Sequence, residues 1–295
     1  MIKLGALGDF VLAFGPFAAI RAHHRADEIT LLTTTPFAPM AERAPWFDRV
    51  VVDRRPSWWD VAGLLRLRRE MHGFDFVYDL QTSDRSSHYH RLAGMPPWSG
   101  IALGASHRHR NPDRDRMHTL DRQRDQLEAA GIASFPPADL DWLRAAGPSV
   151  PAPYALLAPG AAPHRPEKRW PAALFGAAAR RLQERGLLPV VVGTAADSPL
   201  AAAVQAECPQ ALDLTGKTSL LELGGLAARA SLALGNDTGP MHMAAAVGCR
   251  SLVLFSGASD PALAAPRGPT GASVTVLREP NLADLALERV AACLP

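Results

Sequence analysis

The stretch Ser231-Leu232-Ala233-Leu234-Gly235-Asn236-Asp237-Thr238-Gly239-Pro240-Met241-His242-Met243-Ala244-Ala245-Ala246-Val247-Gly248 runs from a short apolar segment, through a turn, into an Ala-rich segment. Ser231–Leu234 reads as a buried strand that ends at Gly235, and the run from 239 to 247 as a helix. Asn236, Asp237 and Thr238 supply capping side chains between them. Gly239 lacks the Cβ that would block a close backbone approach, and His242 lies one turn inside on roughly the face of Thr238. Free N–H groups, the positive end of a helix dipole, a hydroxyl and an imidazole together suit a phosphate. A lone histidine near a helix start is often structural, but four compatible features coincide here.

The same strand–turn–helix unit repeats on both sides. Ile29–Leu32, Arg49–Val52 and Phe74–Tyr78 read as short buried strands, with helix-period apolar positions over 10–24, 36–44 and 60–71. After residue 150 the strands are Tyr154–Ala158, Leu188–Val192, Ser231–Leu234, Ser251–Phe255 and Ser273–Leu277, and helices near 171–185, 197–207, 219–229, 239–247 and 282–293 separate them. Between the two blocks lies Ala145-Ala146-Gly147-Pro148-Ser149-Val150-Pro151-Ala152-Pro153, whose prolines fit neither a helix interior nor a central strand. Two successive βαβα blocks imply an α/β protein with two parallel sheets, each covered by helices on both faces, and a boundary that gives domains 1–148 and 149–295. A length of 295 residues suits two domains. Only Met1–Leu4 precede Gly5, so either the first strand is clipped or the natural chain starts upstream.

Composition narrows the function classes. Thirty-one basic and 29 acidic residues leave a net charge of +2, which gives no argument for a nucleic-acid partner. No apolar run reaches the ~18–20 residues of a membrane span, and no secretory signal pattern is present. Cys208, Cys249 and Cys293 lack metal-ligand spacing and point to a reducing, cytoplasmic setting. Only three basic residues are lysines, Lys3, Lys168 and Lys217.

Two further segments carry chemistry. Leu4-Gly5-Ala6-Leu7-Gly8-Asp9 places two glycines after a short strand and before a helix, at the strand end where open α/β sheets bind ligands. It is not the G-x-G-x-x-G dinucleotide fingerprint, which disfavours nicotinamide-dependent oxidoreduction. For an isolated Asp9, helix capping is the plainer reading, and an acid–base carboxylate is the alternative. Ala158-Pro159-Gly160-Ala161-Ala162-Pro163-His164-Arg165-Pro166-Glu167-Lys168-Arg169-Trp170-Pro171 offers Lys168 and Arg169 in a small-residue loop, suited to an anion or simply solvated.

Leu-Gly-Ala-Leu-Gly-Asp at 4–9, Lys-Arg-Trp-Pro at 168–171, and Asn-Asp-Thr-Gly-Pro-Met-His at 236–242 followed by Ser259-Asp260-Pro261 resemble glycosyltransferase family 9, the lipopolysaccharide heptosyltransferases. The resemblance runs in order along the chain. It implies a GT-B fold of two Rossmann-like domains facing across a cleft, with the acceptor on the first domain, the nucleotide-sugar on the second, and a C-terminal helix able to pack back on the first. It also implies inverting transfer of a heptose-like sugar from ADP-heptose to the lipopolysaccharide inner core or a related anionic glycolipid. No metal or other cofactor is expected beyond the ADP-sugar substrate. By position, Asp9 becomes the candidate base, Lys168 with Asp237, Thr238, Gly239 and His242 the diphosphate site, and Asp197 the acid facing the nucleoside. Another nucleotide-sugar donor, an epimerase, or a non-catalytic nucleotide-binding module remain as alternatives.

Other constellations have bland readings. Asp113-Arg114-Asp115 and Asp139-Leu140-Asp141 match a D-x-D string but read as surface charge. The basic run from Ser106 to Arg116 and the histidines His88, His90, His107 and His109 read as a polar loop facing the acceptor, with Arg108, Arg110, Arg114 and Arg116 placed for its phosphates and for peripheral contact with an anionic membrane. Asp79–Ser86, just after a strand, is placed for acceptor contacts.

Overall fold

The computed structural model describes residues 1–269 and 273–295 and divides into two compact units, Met1–Asp139 and Leu140–Pro295. In the first unit the strands are β1 (Thr30–Thr33), β2 (Arg49–Val52), β3 (Val77–Tyr78), β4 (Trp98–Gly100) and β5 (His107–Arg108), and all their pairings are parallel. The N-terminal residues fill the slot between β1 and β3. Ile2 bridges both Leu32 and Asp79, its N–H donates to the Tyr78 carbonyl at 2.9 Å, and the Lys3 N–H donates to Leu32 at 3.0 Å. The spatial order is therefore β2, β1, N-terminal segment, β3, β4, β5. Numbered along the chain this is 3-2-1-4-5-6, the doubly wound order whose ligands bind where the order reverses, beyond the carboxyl ends of the first and fourth strands.

The second unit repeats that order. Its strands are β6 (Tyr154–Ala158), β7 (Leu188–Val191), β8 (Leu212–Asp213), β9 (Leu232–Asn236), β10 (Ser251–Phe255) and β11 (Val274–Arg278), arranged β11-β10-β9-β6-β7-β8 with every pairing parallel. Every residue of β6, β9 and β10 is buried, as expected for central strands covered on both faces. The order reverses between β6 and β9, so the loop after β6 and the turn after β9 meet at one switch point.

Each unit has its own core. Ile2, Leu4, Leu32, Val77, Tyr89 and Trp98 pack together in the first, and an aromatic layer of Phe10, Phe14, Phe17, Phe37 and Trp46 lies under the helices Leu7–Val11 and Phe14–His23. In the second, Trp170, Phe175, Leu182 and Val204 join apolar residues of β6, β7, β9 and β10. Cys208 and Cys249 are free and buried.

The structure departs from the sequence expectations at three places. The boundary falls before Leu140, not at residue 148, because Leu143 is fully buried and Arg229 donates to the carbonyls of Ala146 and Pro148 at 2.9 and 3.2 Å. Gly225, in the helix Leu220–Arg229, makes room for this docking: a Cβ there would stand 1.6 Å from the Ala146 oxygen. The C-terminal segment is not one helix over 282–293 but a 3-10 turn, Leu282–Asp284, and a short helix, Leu287–Ala291, with Leu282, Leu285, Val290 and Leu294 in the core of their own unit. The Trp170 indole donates to the Leu285 carbonyl at 2.9 Å, between the two short elements. Finally, the basic run is not a plain loop. It contains β5, and His109 is buried with its Nε2 on the Asp125 carboxylate and its Nδ1 on Arg114.

Candidate functional site

In the second unit, the switch point is held by a buried amide. Asn236 closes β9, its Nδ2 donates to the Pro159 carbonyl at 2.8 Å, and its Oδ1 accepts from the Trp170 N–H at 3.0 Å. One side chain thus fixes both ends of the loop after β6 and brings Lys168 over the next turn. Lys168 Nζ donates to Asp237 Oδ2 at 2.6 Å, and Ser259 Oγ donates to the same oxygen at 2.8 Å. Ser259 is a member of this cluster that sequence reasoning did not place; only its position in the Ser259-Asp260-Pro261 string hinted at it. His242 Nε2 lies 3.8 Å from Asp237 Oδ1. Burial alone would raise the Asp237 acid, but the imidazole of His242, the Lys168 ammonium and the Ser259 hydroxyl outweigh it and hold the carboxyl at about 2.

The helix Gly239–Ala246 begins at Thr238, whose backbone is extended and whose hydroxyl donates to the Asn236 carbonyl at 3.1 Å instead of capping the helix. The Thr238 side chain therefore leaves the first-turn N–H groups uncovered. His242 is buried, and its Nδ1 has no hydrogen-bond partner among the described residues. A buried polar atom without a partner is a point where a ligand or water can complete the hydrogen bonding. Lys168, Asp237, Thr238, Gly239 and His242 are all brought together here.

Asp197 sits at the same end of the sheet. It lies next to Gly160 and Gly193, which follow β6 and β7, so close that a Cβ on Gly160 would stand 2.6 Å from Asp197 Oδ1. Its Oδ2 accepts from the Thr194 N–H and hydroxyl, both at 2.8 Å, leaving Oδ1 as the acceptor without a protein partner among the described residues.

In the first unit, Gly5 turns the chain at φ 120°, with Phe37 so close that a Cβ would meet its ring at 2.6 Å. Asp9 follows in the first turn of Leu7–Val11, half-buried. The N-cap is Ala6, without a side-chain cap bond, and the Asp9 carboxylate has no hydrogen-bond partner among the described residues. The helix-capping reading of Asp9 thus finds no bond to support it. Asp9 borders two recesses. One is an open hollow of about 640 Å³ shared with Gly5, Thr34, Asp53 and Arg55, and the other a small cavity of about 60 Å³ shared with Lys3, Thr82, Arg114, Arg122 and Gln123.

Around that small cavity, the sequence reading places the Asp79–Ser86 segment for acceptor contacts but gives no role to Lys3 or Gln123. Lys3 is buried and donates to the Leu80 carbonyl at 3.0 Å. Burial lowers its ammonium to about 8, against the charges of Asp9 and Asp79, which favour the protonated form. Asp79 is fully buried and accepts from the N–H groups of Gln81 and Thr82, both at 3.0 Å, while burial pushes its acid up to about 6. Gln81 Oε1 in turn accepts from the Leu4 N–H at 2.8 Å, tying the segments after the first and fourth strands of this sheet together. Gln123 Oε1 is buried without a partner among the described residues.

The histidines expected in one acceptor-facing loop do not meet. His90 is buried against Trp98 with ring centroids 5.1 Å apart, His109 is buried on Asp125, and His88 lies against Trp58 at 5.3 Å. Two of these environments are buried, those of His90 and His109, while His88 is exposed, and sequence alternation does not reveal the difference.

Comparison with known proteins follows this geometry. The sequence model of glycosyltransferase family 9 (heptosyltransferase) matches residues 64–293. The chain is 34% identical over 106 residues to lipooligosaccharide heptosyltransferase 2 of Haemophilus influenzae, an alignment spanning 34% of this chain and 30% of that protein's length. A glycosyltransferase family 9 structure from Veillonella parvula superposes with a TM-score of 0.82 at 22% identity, covering 99% of this chain and 94% of the other. The E. coli heptosyltransferase WaaC with ADP superposes with a TM-score of 0.80 at 18% identity, covering 99% and 97%. The shared fold is GT-B, built here from two doubly wound α/β units.

Proposed function

The chain belongs to glycosyltransferase family 9, and we propose that it transfers a heptose-like sugar from ADP-heptose to the inner core of lipopolysaccharide or a related anionic glycolipid, with inversion at the anomeric carbon. The observation that carries this reading is the switch point of the second unit. There Lys168, an exposed helix start at Thr238–Gly239 and the unpartnered Nδ1 of His242 converge beyond β6 and β9. That is a cradle for a diphosphate.

The residues divide the work as follows. The acceptor hydroxyl oxygen attacks the anomeric carbon from the side opposite the diphosphate, and its proton passes to the Asp9 carboxylate. The bond between the anomeric carbon and the diphosphate oxygen breaks, and the nucleoside diphosphate leaves with the electron pair. Lys168 and the N–H groups of the helix start stabilise the charge that develops on it, so no metal ion is required for departure. Asp237 works from behind, since Lys168 and Ser259 occupy its carboxylate, and it aims the ammonium at the phosphates. Asp197 Oδ1 is available to a ribose hydroxyl at the rim formed by Gly160 and Gly193. On the acceptor side, Asp9 stands at the switch point of the first unit, beside Lys3, Arg114 and Arg122. The enzyme would act in the cytoplasm, meeting a lipid-anchored acceptor at the membrane surface.

The test is transfer from ADP-heptose to a heptose-free inner-core glycolipid, read by mass spectrometry and by the anomeric configuration of the product. One added heptose of inverted configuration is expected. Transfer from a different nucleotide-sugar alone, or epimerised donor with no transfer, would overturn the reading.

A further inference from the structure

An unusual surface lies on the helix Val61–Met71 and the turn before it, beside the hollow that Arg54 and Arg55 share with Asp9. This helix buries Gly63, Leu67 and Met71 against its own unit. The opposite face leaves Val61 64% and Leu65 51% exposed, and the preceding turn leaves Trp58 52% and Trp59 83% exposed. Water-facing apolar side chains of this size, clustered within eight residues, mark an interaction surface. Trp58 is held in place, with Arg85 5.3 Å from its ring centroid and His88 against its other edge. The patch is therefore a formed surface and not a loose turn.

Its surroundings are cationic. Arg54, Arg55, Arg66, Arg68 and Arg69 are all exposed. The two carboxylates of the segment are already engaged, Asp60 as the cap of the Gly63 N–H at 2.9 Å and Glu70 on Arg49. Arg54, Arg66, Arg68 and Arg69 have no ion pair among the described residues. Between the helix and β2 runs a groove of about 500 Å³ lined by Arg49, Arg54, Arg66 and Glu70.

We propose that this Trp58–Arg69 surface docks the enzyme on an anionic lipid bilayer. Tryptophan rings settle at the headgroup level, where one edge is apolar and the other wet, and arginines beside them meet lipid phosphates. No helix among the described residues is long and apolar enough to cross a membrane, so contact of this kind would be peripheral. Charge argues against a second copy as the occupant. A two-fold contact of the patch with itself would set the arginines of one chain against those of the other. The placement also differs from the Ser106–Arg116 run, where His109 and Arg114 are turned inward onto each other. This surface deepens the reading of a glycolipid acceptor, and it rests on that reading for its purpose, though not for its chemistry.

The experiment is flotation of the full chain with vesicles of phosphatidylcholine alone or with 30% phosphatidylglycerol, at low and high salt. Binding is expected only with the anionic lipid and should fall as salt rises. Arg68→Gln with Arg69→Gln should weaken it ~25-fold at low salt, from the usual contribution of two basic residues at such a surface. Trp59→Ser should weaken it about tenfold. Transfer to a detergent-dispersed acceptor should be unchanged in both variants. Equal vesicle binding by wild type and variants, equal binding to neutral vesicles, or loss of detergent-phase transfer in the Trp59 variant would each overturn the proposal. So would a concentration-dependent dimer abolished by Trp59→Ser. If the wild type binds anionic vesicles but transfers no heptose in detergent, the functional reading fails and the docking surface stands.

Discussion

Replacing Lys168 by Ala removes two things at once, and the structure allows them to be separated. The first is a charged hydrogen bond at 2.6 Å to Asp237, whose side chain is almost entirely buried. Loss of that partner leaves a buried carboxylate with Ser259 as its remaining close donor, a defect worth ~3–5 kcal/mol when no other group compensates. The second is the ammonium that the proposed donor site offers to the phosphates, whose loss would cost ~1.5–3 kcal/mol of binding, or roughly a 10- to 150-fold rise in Kd for ADP. Lys168→Ala should therefore lower both the thermal midpoint and ADP affinity. The double variant Lys168→Ala, Asp237→Asn removes the buried charge along with its partner, so most of the stability should return while ADP affinity stays low. Calorimetric titration with ADP and thermal melts on the four members of this cycle provide the numbers. If affinity recovers together with stability in the double variant, Lys168 serves only to neutralise Asp237, and the diphosphate site assigned to it is wrong.

Other consequences are independent of that cycle. Asp237 is held at about 2, below the ordinary 3.8, so it contributes about 2 kcal/mol of stability that is present above pH 4 and lost as pH falls toward 2; Asp237→Asn should flatten the acid limb of a urea-denaturation series between those values. Gly225→Ala drives a methyl into the Ala146 carbonyl and should cost ~1–3 kcal/mol in thermal unfolding while leaving ADP affinity intact; an unchanged melt would show that the 140–148 segment does not dock as described. Turnover should survive EDTA if, as proposed, Lys168 and the helix start supply the positive charge at the leaving group; loss of turnover that magnesium restores would return attention to Asp113 and Asp115.

What was legible in the sequence follows a physical rule. The fully buried central strands β6, β9 and β10 and the turn at 235–239 were readable because continuous apolar runs and cap residues are local signals. The grouping of Lys168, which follows β6, with Asp237, Thr238, Gly239 and His242, which follow β9, came from the family resemblance and not from local pattern. β4, β5 and the helix Thr119–Glu128 escaped because they are short or polar and are held by long-range bonds, such as Gln126 Nε2 to the Asp79 carbonyl at 2.9 Å. Local pattern could not locate the domain boundary either: three prolines mark where the chain cannot be regular, but the burial of Leu143 decides which core it joins. The pair Lys3 and Asp79 lies 76 positions apart in sequence, and the slotting of Ile2 between β1 and β3 brings the Asp79 charge within reach of Lys3, which lines the cavity beside Asp9.

The proposed mechanism depends most directly on Asp9, and one substitution isolates its chemistry. Asp9→Asn keeps the shape of the side chain but cannot take a proton. Its kcat for heptose transfer, measured with ADP affinity and thermal midpoint on the same preparation, should fall ~10²- to 10⁴-fold, the usual contribution of a general base, while the other two quantities stay at wild-type values. Near-normal turnover in Asp9→Asn would place the base elsewhere and contradict the mechanism.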